Sequence, residues 1–434
     1  MSARADTLLD RIAAGTARIA VLGQGYVGLP VAMRAAELGF PVVGYDVDGD
    51  RIAALAAGSS YVEDVPAAAV ADAVERGFTP TTDPAGLTGF DIAVITVPTP
   101  LREGAPDLSF VESAARALVP HLQAGCLVVL ESTTYPGTTT ELVGPVLEES
   151  GLKVGRDVHL GYSPERIDPG NAVWDLVSTP KVVSGVDDRS LELVSAFYGR
   201  LVKEVVPVGS TAEAELVKLL ENTFRHVNIA LVNELAIFAH GLGVDIWSAI
   251  DAASTKPYGY MRFTPGPGVG GHCLPIDPSY LSWQVRRRLG HTFRFVELAN
   301  DVNEHMPDYV IDRIVRLLNR ERRAVNGSRI LLLGLAYKAA TADYRESPAT
   351  VVADRLSALG ADLRMCDPHV AALAHRPPKW PLVPFGVDEL EAADLVVLLV
   401  DHPEFDAATI AEHARLVFDT KGRLRGTAFT GESL

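Results

Sequence analysis

Three features are scarce in this sequence of 434 residues: cysteine, positive charge relative to negative charge, and long apolar runs. The cysteines Cys126, Cys273 and Cys366 are too few and too far apart for a disulfide scaffold or a zinc knuckle, which favours a reducing compartment. With 39 Lys and Arg against 55 Asp and Glu, the net charge of −16 argues against binding to nucleic acid or to an anionic membrane. The N-terminus lacks the apolar core of a signal peptide, and runs such as residues 395–400 are far shorter than the ~20 residues of a membrane span. A cytoplasmic protein without a membrane segment is therefore expected.

What the sequence does contain is an alternation of short apolar runs with segments of helical period. Six runs rich in Val, Ile and Leu predict the strands of a doubly wound, parallel α/β sheet: 18–23, 41–46, 91–97, 127–133, 158–164 and 181–186. Residues 211–241 contain no proline and predict a long helix that connects two lobes or packs against a second subunit. The alternation restarts after residue 326. The fold class predicted is α/β, with two Rossmann-like domains (1–208 and 326–434) joined by a central helical domain (209–325).

A dinucleotide fingerprint closes the first predicted strand. Gly23, Gly25 and Gly28 stand in the spacing GxGxxG, where glycines permit a tight turn and let backbone N–H groups approach a pyrophosphate at a helix N-terminus. Asp46, at the end of the second strand, would accept hydrogen bonds from ribose hydroxyls and repel a 2′-phosphate. NAD is therefore the predicted cofactor, in preference to NADP.

The second α/β unit differs from the first. Gly334 follows its first strand, but no second and third glycine stand in fingerprint register, so a second dinucleotide site is not expected. Lys338, Asp343 and Arg345 cluster in the loop that follows. They could hold another phosphate-bearing ligand, close over the first ligand, or be ordinary solvated charges.

Cys273 is the cysteine that the sequence singles out for chemistry. Cys126 and Cys366 sit in apolar strands and are assigned to packing. Cys273 follows paired glycines, with His272 beside it and Asp277 four residues later. From position alone, a nucleophile and a structural cysteine remain equally open.

Two further pairs of residues are candidates for the chemistry. Lys218 and Asn222 are four residues apart and share a face of the long helix, where the lysine either extends to the surface or polarises a reacting oxygen. Glu165 and Arg166 add a carboxylate and a guanidinium near the end of a strand. The histidines show no metal-ligand spacing, and no metal site is predicted.

Seven ordered motifs then carry a resemblance over residues 18–423. They are GQGYVGLP, VPTP, STTYPGTT, SPERIDPGN, KLLENTFRHVNIALVNELA, PGPGVGGHCLPIDP and GLAYKAATADYRESP. Together they resemble the UDP-glucose/UDP-mannose dehydrogenase family of nucleotide-sugar 6-dehydrogenases. The resemblance implies a homodimer formed through the long helix, NAD in the N-terminal domain, and a nucleotide-sugar substrate between the central and C-terminal domains. It also implies a four-electron oxidation of the sugar C6 alcohol, in which Cys273 forms a thiohemiacetal and then a thioester.

The resemblance implies roles for five more catalytic residues. Lys218 and Asn222 would stabilise the developing oxyanion, and Asp277 would assist base chemistry and water activation. Thr133 would position that water, and Glu165 would act in thioester hydrolysis.

The resemblance also implies two binding sets. The cofactor-binding set is Gly23, Gly25, Tyr26, Val27, Gly28, Asp46, Arg51, Pro98, Thr99, Thr133, Lys338 and Arg345. The substrate-binding set is Glu165, Arg166, Lys218, Asn222, Arg225, Tyr258, Arg262, Gly270, Tyr337 and Lys338.

The motifs are closest to the branch of the family that acts on UDP-N-acetylglucosamine or UDP-N-acetylmannosamine. The UDP-glucose branch typically has serine where His272 stands. The alternative is a UDP- or TDP-glucose 6-dehydrogenase of an antibiotic or polysaccharide pathway. Two other classes share part of this pattern: a non-catalytic nucleotide-sugar-binding protein, and a two-electron hydroxyacid dehydrogenase, which has an NAD domain and a Lys-x-x-x-Asn helix.

Overall fold

The computed structural model describes residues 3–62, 64–168, 171, 173–271, 274–371 and 378–434. The chain divides into two compact units, Met1–Glu221 and Asn222–Leu434. Each unit is built around one sheet.

The described residues of the N-terminal unit form ten strands, of which eight belong to one sheet. They are β1 (Ile19–Leu22), β2 (Val42–Tyr45), β3 (Thr79–Thr81), β4 (Ile92–Ile95), β5 (Leu101–Arg102), β6 (Ala105–Pro106), β7 (Leu127–Leu130), β8 (His159–Tyr162), β9 (Lys181–Gly185) and β10 (Val205–Pro207). The sheet order is β10-β9-β8-β7-β4-β1-β2-β3, and β5 and β6 form a separate hairpin. All six strands predicted from apolar runs are confirmed. The short β3 and β10 were not predicted, because each contains a proline and is only three residues long.

One strand pair departs from the parallel sheet expected from the sequence. Neighbouring strands are parallel from β3 to β8, but β9 runs antiparallel to β8, with Gly161 opposite Gly185 and Tyr162 opposite Ser184. A parallel pair needs a crossover connection, usually a helix. The described part of the connection 163–180 contains no helix, and the chain returns along the edge of β8.

Helices cover both faces of this sheet. They are α1 (Ala3–Ala14), α2 (Gly28–Glu37), α3 (Gly49–Ala56), α4 (Ala67–Glu75), α5 (Ser109–Leu118), α6 (Gly144–Glu148) and α7 (Asp188–Leu201). Alternate side chains of β1 enter two different cores, since Ile19 and Val21 belong to one and Ala20 and Leu22 to the other. Both faces are therefore buried, as in a doubly wound fold.

The long predicted helix is confirmed as α8 (Thr211–Leu242), which has 32 residues. The division between the two compact units falls within it, after Glu221. Its first residues therefore belong to the N-terminal unit and its remainder to the C-terminal unit.

Seven further helices and five strands lie in the part of the C-terminal unit that the structure describes. They are α9 (Ile246–Ser254), α10 (Asp277–Leu289), α11 (Arg294–Arg320), β11 (Arg329–Leu333), α12 (Pro348–Ala358), β12 (Asp362–Cys366), α13 (Pro368–Ala371), α14 (Val387–Ala392), β13 (Leu395–Leu398), α15 (Ala407–His413), β14 (Val417–Asp419) and β15 (Gly431–Ser433). The sheet order is β12-β11-β13-β14-β15, with every neighbouring pair parallel. The alternation of strands and helices predicted after residue 326 is confirmed by β11, α12, β12 and β13.

Cys126 and Cys366 are in no disulfide and are buried in the cores of their units, as predicted for packing residues. Burial raises the pKa of the Cys366 thiol to about 12, assisted by the negative charge of Asp367. In the described part of the chain, no helix combines the length and the apolar character that a membrane crossing requires.

Candidate active site

The predicted cofactor residues of the N-terminal unit lie at one edge of its sheet. Strands β2, β1, β4, β7 and β8 are adjacent and parallel, so their carboxyl ends share that edge. Ligands of open α/β sheets bind outside the carboxyl ends of the strands. The loops that follow these strands carry most of the site residues predicted for this unit.

The glycine-rich loop has the geometry that its spacing predicts. Gly23 has φ +93°, and a Cβ there would lie 2.7 Å from the carbonyl oxygen of Thr96. A Cβ at Gly28 would overlap the carbonyl oxygen of Gly23. These two glycines are required by the protein's own packing. A Cβ at Gly25, by contrast, would meet nothing within 4 Å, which leaves open space beside the backbone for a ligand.

The end of the loop offers donors and a carboxylate. Helix α2 begins at Gly28, and its N-cap Val27 provides no side-chain hydrogen bond, so the first N–H groups of α2 have no side-chain cap. Asp46 accepts hydrogen bonds from the backbone N–H of Gln24 at 2.7 Å and of Asp48 at 3.0 Å. Its carboxylate also lies 3.5 Å from the guanidinium of Arg51. This donor set fits a pyrophosphate and an unphosphorylated ribose.

Hydrogen bonds link the loops that follow β1, β4 and β7. The hydroxyl of Thr96 donates to the carbonyl of Gly23 at 2.8 Å. The hydroxyl of Ser132 donates to the carbonyl of Val97 at 2.8 Å. The predicted residues Pro98, Thr99 and Thr133 follow directly in these two loops, where Pro98 is exposed and both threonines are half-buried.

Lys218 lies on α8 between two anchored carboxylates of the same helix. Glu215 accepts hydrogen bonds from the backbone N–H groups of Gly137 at 2.6 Å and Thr139 at 2.8 Å. Burial raises the pKa of Glu215 to about 7, against the lowering effect of these hydrogen bonds. Glu221 accepts from Arg166 at 2.6 Å. Lys218 itself is buried, and it lies three residues from each anchor.

Glu165 is held by groups that the sequence did not single out. One carboxylate oxygen accepts the backbone N–H groups of Arg166 at 2.7 Å and Ile167 at 2.6 Å, and the other accepts the ammonium of Lys181 at 2.9 Å. Lys181 also contacts Glu131. A fully buried lysine at the start of an apolar strand is rare without a partner, and that is the sequence signal that could have identified it.

In the C-terminal unit the structure brings Asn222 and Asp277 together. The side-chain amide of Asn222 donates to the carboxylate of Asp277 at 2.6 Å. Asp277 is the first residue of α10 and is 3% exposed. The predicted nucleophile Cys273 and its neighbour His272 lie outside the described residues.

The glycine segment that leads toward Cys273 packs on the loop after β11. A Cβ at Gly270 would lie 2.6 Å from the carbonyl oxygen of Glu346 and 3.0 Å from the Cβ of Tyr337. The backbone N–H of Tyr337 donates to the carbonyl of Asp343 at 3.0 Å. The structure therefore brings two predicted substrate residues, Gly270 and Tyr337, side by side.

Other predicted residues of the C-terminal unit are engaged with acidic partners or exposed. Arg345 pairs with Asp343 at 2.7 Å, and the ammonium of Lys338 lies 5.8 Å from the centre of the Tyr337 ring. Arg262 pairs with Asp251 at 2.5 Å. Two more residues, Arg225 and Tyr258, are exposed.

One group of side chains among the described residues has the composition of a metal site. Ligand atoms of His369, His402 and Glu404 lie within 4.8 Å of one another. The two imidazole rings stack at an interplanar angle of 28°, so their in-plane lone pairs do not converge on one point. His402 also contacts Asp367 through Nε2 at 3.0 Å and accepts the backbone N–H of Ala340 through Nδ1 at 3.3 Å. The arrangement is one of packing.

Comparison with known families gives matches along most of the chain. The matching models describe the UDP-glucose/GDP-mannose dehydrogenase family: its NAD binding domain over residues 17–202, its central domain over residues 212–305, and its UDP binding domain over residues 331–426.

Individual proteins are also similar over nearly the full chain. The UDP-N-acetyl-D-mannosamine dehydrogenase of Pyrococcus horikoshii is 36% identical over 89% of this chain and 90% of its own. The UDP-N-acetyl-D-glucosamine 6-dehydrogenase of Pseudomonas aeruginosa is 36% identical over 89% of this chain and 91% of its own. A solved structure of a UDP-D-ManNAc dehydrogenase from Pyrococcus horikoshii matches with a TM-score of 0.85 and 34% identity, covering 95% of this chain and 98% of that one.

Proposed function

Since the chain belongs to the UDP-glucose/GDP-mannose dehydrogenase family and is an NAD-dependent nucleotide-sugar 6-dehydrogenase, we propose that its substrate is a UDP-N-acetylhexosamine, either GlcNAc or ManNAc. Relatives that are 36% identical over nine-tenths of their length are named for these two sugars. His272, where the UDP-glucose branch typically has serine, supports the same branch. The three-domain division at residues 208 and 325 belongs to this proposal.

The cofactor NAD is held in the N-terminal unit. Gly23, Gly25, Gly28 and the N–H groups at the start of α2 would face its pyrophosphate, and Asp46 its ribose hydroxyls. When bound, NAD accepts a hydride from the substrate carbon. The proposed cofactor-binding set also includes Tyr26, Val27, Arg51, Pro98, Thr99, Thr133, Lys338 and Arg345.

The proposed chemistry proceeds on Cys273. The C6 alcohol loses a hydride and a proton to become an aldehyde, and the thiol adds to that aldehyde to give a thiohemiacetal. Loss of a second hydride and proton gives a thioester. Water then displaces the thiol and leaves the carboxylate. A thiolate is a strong nucleophile and its thioester stays hydrolysable, which is why cysteine suits this sequence of steps.

The hydrogen bond from Asn222 to Asp277 is the observation that carries the proposed mechanism. It joins two residues assigned to the chemistry from separate motifs, 55 positions apart. The Asp277 carboxylate would take protons from the reacting groups and activate water, while the amide fixes its orientation. Lys218, one turn before Asn222 on α8, would stabilise the negative charge that develops on oxygen.

Thioester hydrolysis and substrate binding involve the remaining proposed residues. Thr133 would position the attacking water, and the carboxylate of Glu165 would act in hydrolysis. The nucleotide sugar would be bound by Glu165, Arg166, Lys218, Asn222, Arg225, Tyr258, Arg262, Gly270, Tyr337 and Lys338.

A homodimer formed through α8 and a cytoplasmic location complete the proposal. Along α8, Leu231, Leu235 and Phe238 are 52%, 43% and 55% exposed and recur at spacings of four and three residues, which forms an apolar stripe on one face. We expect the wild-type chain to sediment at twice its mass of 46.4 kDa and the double variant Leu231→Asp/Leu235→Asp to sediment as a monomer. Leu359→Asp, at a similarly exposed position on α12's C-terminal end, is the matched control and should remain dimeric.

A panel of nucleotide sugars tests the substrate. The purified chain would be incubated with NAD and the UDP-linked GlcNAc, ManNAc and glucose, together with TDP-glucose, and the uronic acid product measured by mass. We expect turnover of an N-acetylhexosamine substrate and its loss in Cys273→Ala with the fold intact. Undiminished turnover in Cys273→Ala would contradict the mechanism, and preference for a glucose substrate would favour the alternative branch.

A further inference from the structure

A buried cluster of charges lies at the start of β9 in the N-terminal unit. The ammonium of Lys181 contacts the carboxylates of Glu131 and Glu165, the latter at 2.9 Å. The side chains of these three residues are 4%, 0% and 7% exposed. Tyr198 donates its hydroxyl to the second oxygen of Glu131 at 2.9 Å. The cluster therefore joins four elements of the unit, and only Glu165 in it has been assigned to the reaction.

The antiparallel pairing of β8 and β9 brings Lys181 and Glu165 into contact. In the register of β8 and β9, Gly161 is opposite Gly185 and Tyr162 is opposite Ser184. Continued past the strand ends, the same register places Glu165 opposite Lys181 and Arg166 opposite Pro180. Both pairs are in contact, because the guanidinium of Arg166 donates to the carbonyl of Pro180 at 2.7 Å.

The cluster favours an ionised Glu165. Burial alone would raise its pKa, but the charge of Lys181 and the hydrogen bonds to its carboxylate lower the pKa below its ordinary value. Burial raises the pKa of Glu131, which accepts no backbone N–H in the described structure, and the nearby Glu165 charge adds to that rise. Because the pKa of Glu131 is raised and that of Glu165 is lowered, Glu165 is the carboxyl group that ionises more readily beside the Lys181 ammonium.

Hydrogen bonds hold both oxygens of the Glu165 carboxylate. A carboxylate has about four acceptor positions. Two backbone N–H groups occupy one oxygen, and Lys181 takes one position on the other. A side-chain hydrogen bond between Glu131 and Glu165 adds to this set, so the carboxylate of Glu165 is held in one orientation.

We propose that Lys181 is a positioning residue for the hydrolysis step, which keeps Glu165 charged and holds its carboxylate in the orientation that this step uses. The inference rests on the proposed function. A buried ion pair is weak evidence for a stabilising role, since well-packed apolar residues often stabilise a core equally well. Holding the charge of a reacting carboxylate is a role that apolar residues cannot take.

Lys181→Met tests this role, with Lys181→Arg as the matched control that keeps the charge. In Lys181→Met we expect kcat to fall about 100-fold while KM for NAD changes little, because the defect lies in alignment and not in cofactor binding. Loss of the cation raises the pKa of Glu165, so the acid limb of the kcat–pH profile should move up by about one unit or more. Lys181→Arg should restore most of kcat and the wild-type acid limb.

The outcomes separate this inference from the proposed function. Failure of the wild type to oxidise UDP-N-acetylmannosamine or UDP-N-acetylglucosamine would remove the proposed substrate and the inference with it. Wild-type turnover combined with an unshifted acid limb in Lys181→Met would overturn the inference alone. If Lys181→Met does not fold, the double variant Lys181→Met/Glu131→Gln also removes the second buried carboxyl group and should fold with the same shifted limb. Failure of both variants to fold would make Lys181 purely structural and contradict the proposal.

Discussion

The two sheets of this chain begin alike and then diverge. In each, the first strand is followed directly by a glycine in the left-handed region, Gly23 at φ +93° and Gly334 at φ +94°. Each has an aspartate directly after its second strand, Asp46 after β2 and Asp367 after β12. The sheets differ in how many of these backbone donors and carboxylate acceptors already form hydrogen bonds within the protein.

Beside the N-terminal sheet, the glycine-rich loop, the start of α2 and Asp46 keep space and hydrogen-bonding capacity for a ligand. Gly25 faces open space, and α2 starts five residues after Gly23 with no side-chain cap. The carboxylate of Asp46 accepts two backbone N–H groups and retains acceptor capacity for a ribose.

Beside the C-terminal sheet, the corresponding groups form hydrogen bonds with other groups of the protein. Asp367 accepts the backbone N–H groups of Leu335 and Ala336 at 2.8 and 2.9 Å, and it contacts Nε2 of His402 at 3.0 Å. Helix α12 begins only at Pro348, with its N-terminus capped by the side chain of Ser347. The comparison teaches that a dinucleotide site depends on unsatisfied donors and acceptors as much as on topology.

The largest effect on stability should come from removing the carboxylate of Asp367. Asp367→Ala leaves His402 and several backbone N–H groups buried without their acceptor, and we expect a loss of about 3–5 kcal/mol in the free energy of unfolding. The counterpart Asp46→Ala should cost clearly less, because fewer groups depend on that carboxylate. Denaturant titration of both variants measures the difference, and equal losses would break the comparison.

Next in size is the effect of filling the open space at Gly25. Gly25→Val should fold normally yet raise KM for NAD about 100-fold, because the new side chain occupies the approach of the pyrophosphate. The matched control is Gly334→Ala, whose Cβ would overlap Val400 and whose φ is positive. That variant should lose stability. Unchanged NAD affinity in Gly25→Val would contradict the proposed cofactor position.

Acid should remove the stabilisation that the Asp367 carboxylate provides. Burial raises the pKa of Asp367, but the hydrogen bond and charge of His402, with backbone N–H groups, bring it down to about 2 from an ordinary 3.8. Because the folded pKa is the lower one, the stabilisation is present above 3.8 and is lost as the pH falls through 2. We expect about 2 kcal/mol of wild-type stability to disappear over this range. Asp367→Asn should show a correspondingly shallower decline between pH 4 and pH 2.

A smaller effect is expected on cofactor choice. Asp46→Ser removes the charge that repels a 2′-phosphate and leaves Arg51 nearby, so kcat/KM for NADP relative to NAD should rise about 10-fold or more. Steady-state kinetics with both cofactors measures the ratio, and an unchanged ratio would mean that Asp46 does not face the ribose.

The smallest effect concerns the support of the glycine-rich loop. Tyr61 donates its hydroxyl to the carbonyl of Gln24 at 2.5 Å. Tyr61→Phe removes that hydrogen bond, and we expect NAD affinity to fall by about fivefold at most. Calorimetric titration with NAD measures the change. If Tyr61→Phe lost as much NAD affinity as Gly25→Val, the role of Tyr61 would not be purely supporting.

The sequence predicts the parts of this comparison that rest on local pattern. The GxGxxG spacing, Asp46 and the long helix α8 follow from periodicity and short-range geometry. The antiparallel turn at β9 does not, because strand direction depends on the connection 163–180, and the Lys181–Glu165 contact depends on that direction. Glu215 likewise reads as one more polar residue on a helix until its acceptors are known. Cys273 stays a prediction, since it lies outside the described residues.

The count of NADH formed per sugar tests the central claim most directly. If only the N-terminal sheet takes NAD, both hydrides must leave the same C6 carbon through one site, one after the other. With limiting UDP-N-acetylhexosamine and excess NAD, the account predicts two NADH for each sugar consumed and a uronic acid product. One NADH per sugar, with an aldehyde or ketone product, would contradict it.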